Sequence, residues 1–156
     1  VFGVISLLVT ITSGIAFSWS RKLPLDTSVS TPKLVKFSFG IFIATLFLAG
    51  GALVLHAPVF PWKLNPDSSV IFGCIFLGDA FYFLYGLLRP NWHNALGQLL
   101  SFLAYDLVLI LPFVGLISTV EPEHLASLIV YIVVLIYSGG LAMYYLFVDP
   151  KTRFGV

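Results

Sequence analysis

Two aspartates stand where carboxylates are expensive. Asp79 lies in Leu77-Gly78-Asp79-Ala80-Phe81-Tyr82 and Asp106 in Ala104-Tyr105-Asp106-Leu107, each near the middle of a long apolar run. At the centre of a bilayer a carboxylate costs about 2.5 to 3.5 kcal/mol on insertion scales, so such groups turn towards a bundle interior and a partner. Trp92 marks the turn between the two runs. Asp79 precedes it by 13 residues and Asp106 follows it by 14. With a rise of about 1.5 Å per residue, the carboxyls are expected at nearly equal depth on neighbouring antiparallel helices. If they face each other, both cannot stay charged, and one holds a proton.

Other polar side chains gather around them. Tyr82 is three residues beyond Asp79 and Gly86 seven, which places them on one helix face. Tyr105 adjoins Asp106. Tyr131, Ser138 and Tyr145 recur at intervals of seven and form one stripe, and Ser138-Gly139-Gly140 permits close helix approach. Thr10, Thr12 and Ser13 in the first run, and Thr45 with Gly50-Gly51 in the second, add small groups at similar depth. The expected site is therefore a mid-membrane polar centre of Asp79, Asp106, Tyr82, Tyr105, Gln98 and Ser138. It would bind a small ligand, or handle protons or ions in transport. A structural explanation competes with it, in which the aspartates bond to Tyr, Ser or Gln98 and lock the fold, or contact another subunit.

Tyr105-Asp106 resembles the Tyr-Asp string of intramembrane aspartyl proteases of the presenilin type. The partner string departs from that family, because Phe76-Leu77-Gly78-Asp79 has Phe where the first Gly of Gly-x-Gly-Asp belongs. The order along the chain is also reversed, and Pro-Ala-Leu is missing. What this resemblance implies is an intramembrane hydrolase in which two carboxyls activate water. A further alternative is a non-catalytic accessory subunit of a larger membrane complex, in keeping with the small size, the short loops and the Phe-rich helices. Binding is favoured over catalysis.

Several chemistries find no residues to carry them. No Lys lies inside an apolar run, so a Schiff base is unavailable there. His56, His93 and His124 fall at helix ends or in loops, where no pair could clamp a haem. Cys74 is the single cysteine, which excludes an intrachain disulfide and a thiolate cluster; it is expected to pack as a small hydrophobe. HExxH, Walker and GxSxG strings are absent. The sequence points to no metal site and to no particular cofactor. With a net charge of +1 and no Lys/Arg cluster, nucleic acid is not an expected partner.

The elements that must position these groups are transmembrane helices. The chain is 59% hydrophobic and 10% charged, against about 25% charged in soluble domains. Too little charge is left to cover a water-facing surface. Spanning takes about 20 mostly apolar residues, and five runs qualify: 2–19, 37–56, 69–88, 96–117 and 125–147. Prolines such as Pro58, Pro61, Pro66, Pro90 and Pro122 punctuate the breaks, and only Pro112 lies inside a run, where it should kink the helix. Basic residues follow the first run rather than precede it, so a first span fits better than a signal peptide. The runs are continuous rather than alternating, which disfavours a β-barrel.

The fold class expected is all-α, a single polytopic transmembrane domain of about five spans. Alternate loops share a side, and one side collects seven of the eight basic residues. Basic loops stay cytoplasmic, which puts the N-terminus outside and the C-terminus inside, in a plasma or inner membrane. Trp19, Trp62 and Trp92 are expected as interfacial anchors. Glu121, Glu123 and His124 read as a solvated loop. Beyond the lipid bilayer, the partners expected are other membrane subunits or further copies of the chain.

Overall fold

The computed structural model describes residues 2–22 and 29–153. It holds five α-helices: α1 (Phe2–Ser20), α2 (Lys33–Val54), α3 (Pro66–Leu88), α4 (Trp92–Leu116) and α5 (Pro122–Met143), the last continuing into a π-helical turn, Tyr144–Val148. Among the described residues there is no strand, only an isolated bridge between Ser30 and Asn91. Four helices are long and apolar enough to cross a membrane: α2, α3, α4, and α5 with its π turn. Their outer faces expose Leu48, Leu107, Val108 and Leu111. A surface so rich in large apolar side chains is unsuited to water and suited to lipid. These are the helices of a multi-pass membrane protein.

Local chemistry sets their ends. Asn65 caps α3 by accepting from Ser68 N at 2.8 Å, with Pro66 in the first turn, where its missing N–H costs nothing. Asn91 caps α4 in the same way through Asn94 N at 2.9 Å. At the far end of α2, Ala57 N donates to Ala52 O at 2.8 Å and His56 N to Leu53 O at 2.9 Å. This is a Schellman closure, and it holds His56 at φ 62°, a conformation that favours glycine.

Packing is uneven. α2 lies along α3 so closely that a Cβ on Gly73 would fall 2.8 Å from Gly50 O, and one on Gly50 3.0 Å from Gly73 O. Small residues are what allow two helix backbones to meet in this way. Ser69 Oγ adds a bond to Leu53 O at 2.6 Å. α4 lies along α5, whereas α3 and α4 are tied mainly at their Trp92 end. There Val35, Phe39, Phe83, Trp92, Leu99 and Leu146 pack into one buried cluster, and Ser38 and Tyr137 hydroxyls meet at 2.7 Å between α2 and α5. The segment entering α2 is pinned to the same end by Trp92 N donating to Val29 O at 2.8 Å.

Three expectations need correction. Trp92 is only 6% exposed and belongs to this core, so it is a packing residue and not an interfacial anchor; Trp19 and Trp62 do reach the surface. Cys74 is exposed on the outer face of α3 and is not packed inside. α1 stands aside: every side chain described in it is exposed, and Phe17 meets Tyr85 at 5.9 Å between ring centres. Thr12 and Ser18 bond back to carbonyls of their own helix, at Leu8 and Gly14, and none of the described α1 residues lines the cleft described next.

Candidate functional site: an acidic cleft between α3 and α4

Where α3 and α4 part, they leave a cleft of about 660 Å³. Asp79 and Tyr82 line it from α3, Tyr105 and Asp106 from α4, and Thr45 and Tyr131 from α2 and α5. The matched spacing about Trp92 thus brings both aspartates to one cavity. The helix ladders explain the pairing: each aspartate lies about four turns from the turn at Trp92, on helices that run in opposite directions.

The two carboxylates meet different surroundings. Asp79 is exposed at the cleft wall. Asp106 is 4% exposed, and neither carboxyl oxygen has a hydrogen-bond partner among the described residues. The Ser138 hydroxyl lies beside the carboxyl as its hydrogen-bonding neighbour, and it also bonds to Val134 O at 2.7 Å within its own helix. Gly139 makes the room: a Cβ there would lie 3.4 Å from Asp106 Oδ2. Burying a carboxyl is costly, and both Asp106 oxygens are closed off here against Ser138 and Gly139 of α5. Tyr105, next in sequence, lies within the field of both Asp79 and Asp106.

Of the six residues expected at the centre, four line the cleft: Asp79, Asp106, Tyr82 and Tyr105. Gln98 and Ser138 do not. Gln98 is fully buried and donates through Nε2 to Tyr82 O at 2.5 Å. Its amide fills the space that Gly86 leaves by lacking a side chain. It is a clamp joining α3 to α4, placed below the cleft, and it accounts for why Gly86 shares a face with Tyr82. Of the tyrosine stripe, Tyr131 reaches the cleft, whereas Tyr145 is buried in the core at the Trp92 end.

Sequence reasoning left out the walls. Ser101 and Ser127 line the cleft, as do Phe76, Phe83, Phe102 and Phe113. The signal was present: Phe76 and Phe83 lie three before and four after Asp79, and Phe102 and Phe113 four before and seven after Asp106. Those intervals put an aromatic ring one or two turns away on the same face.

Elsewhere, ligand atoms of Glu121, Glu123 and His124 come within 4.8 Å of one another at the start of α5. Carboxylates there are favoured by the helix dipole alone, and the cluster lies apart from the cleft lining. No family model, curated protein or solved structure matches this chain.

Proposed function

We propose that this chain is a membrane protein that binds a small ligand inside the bilayer, in the cleft between α3 and α4, with Asp79 and Asp106 as its polar anchors. The observation that carries the reading is the cavity itself: about 660 Å³ between spanning helices, with Asp79 exposed in its wall beside Tyr82 and Tyr105. Tyr82, Tyr105 and Tyr131 supply hydroxyls that can donate to a ligand or relay a proton. Transport of a proton or ion through the same groups is a variant of this reading. Hydrolysis by the two carboxyls would require them to share one water.

The proposal includes a topology. α1 makes a fifth crossing, and the basic loops lie inside, with the N-terminus outside and the C-terminus cytoplasmic, in a plasma or inner membrane. It also leaves room for partners. α1, exposed around its described length, favours a second reading in which another subunit or a second copy covers that helix.

The test is native mass spectrometry of the protein released from native-membrane nanodiscs. A small-molecule adduct is expected on the wild type and is expected to be lost from the Asp79→Asn/Asp106→Asn double variant. A wild type that carries no adduct, or an adduct that persists in the double variant, refutes the ligand reading. A mass locked to further protein chains supports the second.

A further inference from the structure

Resting on the reading of the cleft as a ligand site, we infer that its ligand is an uncharged, hydroxyl-bearing lipid that enters sideways from the bilayer, through a mouth between α3 and α4 marked by Asp79, Tyr82 and Tyr105. The first step is where the cavity is closed. α2 with α3, and α4 with α5, are the closely packed pairs, and the cavity lies between them. Two aromatic layers join the pairs. Away from Trp92, Phe60 of the α2–α3 loop lies 5.6 Å from Tyr131 of α5 between ring centres, and Trp62 lies 5.7 Å from Phe113 of α4. Towards Trp92, Phe83 of α3 and Phe42 of α2 meet Phe102 of α4 at 4.6 and 5.2 Å. Phe42, Phe60, Phe83 and Phe113 are all buried. Rings in contact thus cap the cavity at both ends along the helix axes, and these caps stand between it and the water on either side of the bilayer.

The second step is where it is open. Asp79, Tyr82, Ser101 and Tyr105 line the cavity and are exposed as well, so it reaches the surface between α3 and α4. Asp79 lies near the middle of α3 and Tyr105 near the middle of α4. At that depth a spanning helix meets acyl chains and not headgroups. A second gap, between α2 and α5, exposes Thr45, Ala126 and Val130, and it faces lipid too. What enters by such openings comes out of the hydrocarbon.

The third step is the chemistry of the mouth. Twelve of the twenty lining residues have no polar side-chain atom, so the body of the ligand is apolar, and about 660 Å³ is an ordinary size for a small-molecule pocket. The α3–α4 mouth asks for more. Ser101 donates its hydroxyl to Gly97 O at 2.9 Å, but the side chains of Asp79, Tyr82 and Tyr105 make no hydrogen bond among the described residues. Acyl chains offer them none. A hydroxyl suits all three, because it donates to a carboxylate or phenol oxygen and accepts from a phenol O–H. A charged headgroup would have to leave the interface and lose its water at mid-span. That cost restricts the ligand to lipids without one.

The test is photolabelling in lipid nanodiscs with two probes of one chain, hexadecanol and hexadecylphosphocholine, each carrying a diazirine at the same carbon, read by peptide mass spectrometry. The hexadecanol probe is expected to label cavity residues such as Phe76, Phe102 and Tyr131. Excess plain hexadecanol should cut those labels at least about tenfold, as filling a site requires, and leave labels on the outward-facing Leu107 and Val108 unchanged. The phosphocholine probe should label the outer face alone. Ser101→Trp, which sets an indole in the mouth, should remove the cavity labels and keep the outer ones, which report that the helices remain inserted. The competition and the headgroup comparison are made on the wild type and need no variant. Cavity labels that excess hexadecanol does not reduce, or that the phosphocholine probe matches, overturn the inference. Labels that survive Ser101→Trp move entry to the α2–α5 gap and overturn the mouth. An absence of cavity labels overturns the lipid, and the adduct experiment above then decides separately whether the cleft takes a ligand of another class.

Discussion

α3 has two neighbours and treats them differently. Against α2 it closes up, with Gly73 and Gly50 letting backbone meet backbone. Against α4 it is clamped at one end by Gln98 and by the Phe83–Phe102 contact, and then the helices part around Asp79 and Asp106. Small residues face the closed seam, whereas Asp79 faces the open one and Asp106 turns its oxygens towards α5. In lipid, where apolar burial gives helices little reason to associate, this division decides which interface is scaffold and which is site. The closed seam holds α3 in place while a cavity opens beside Asp79 and Asp106.

If the closed seam is scaffold, crowding it should do the most damage. Gly73→Leu places a branched side chain where even a Cβ would meet Gly50 O at 2.8 Å and Val54 N at 2.9 Å. Neither backbone atom can step aside, so the variant is expected to lose about 3 kcal/mol of stability, read as a shift in the unfolding midpoint in mixed detergent micelles. A tolerated Gly73→Leu would mean that α2 and α3 are free to separate, and the contrast between the seams would collapse.

The open seam predicts the opposite sign. Removing the charge from a buried, unpartnered carboxylate should stabilise the empty protein. Asp106→Asn is therefore expected to raise stability by about 1 to 2 kcal/mol in the absence of ligand, by the same unfolding assay. Asp79→Asn should give a smaller gain, because Asp79 is exposed in the cleft. Stabilisation bought at a binding group is the signature of a site, since binding groups are selected for the ligand and not for the empty fold. A loss of stability in Asp106→Asn would show instead that the carboxylate holds the helices together.

These contrasts were only half legible in the sequence. The helical runs at 37–56, 69–88, 96–117 and 125–147 could be read from continuous apolarity, and α2 to α5 follow them with ends shifted by a few residues. That Asp79 and Asp106 line one cavity was legible because depth in a helical hairpin depends only on counting residues from the turn. Rotation about each helix axis is not fixed by such counting. That is why Gln98 and Ser138 were grouped with the aspartates, although one is a clamp and the other bonds along its own helix. Trp92 was misplaced for a related reason. A Trp beside a turn reads as an anchor, but this one packs with Val35, Phe39, Leu99 and Leu146 and so belongs to the core.

The smallest expected effect lies at the end of the closed seam. His56 sits at φ 62° because the Schellman closure of α2 demands a left-handed residue there. An L side chain in that region costs about 1 kcal/mol relative to glycine. Its imidazole is exposed and makes no packing contribution that glycine would forfeit. His56→Gly is therefore expected to stabilise the protein by somewhat less than about 1 kcal/mol, since glycine also gains freedom in the unfolded chain. The gain should appear in the unfolding midpoint and leave the small-molecule adduct of the wild type unchanged. If His56→Gly abolished that adduct, the end of α2 would be coupled to the cleft, and the closed seam could not be treated as a passive support for the open one.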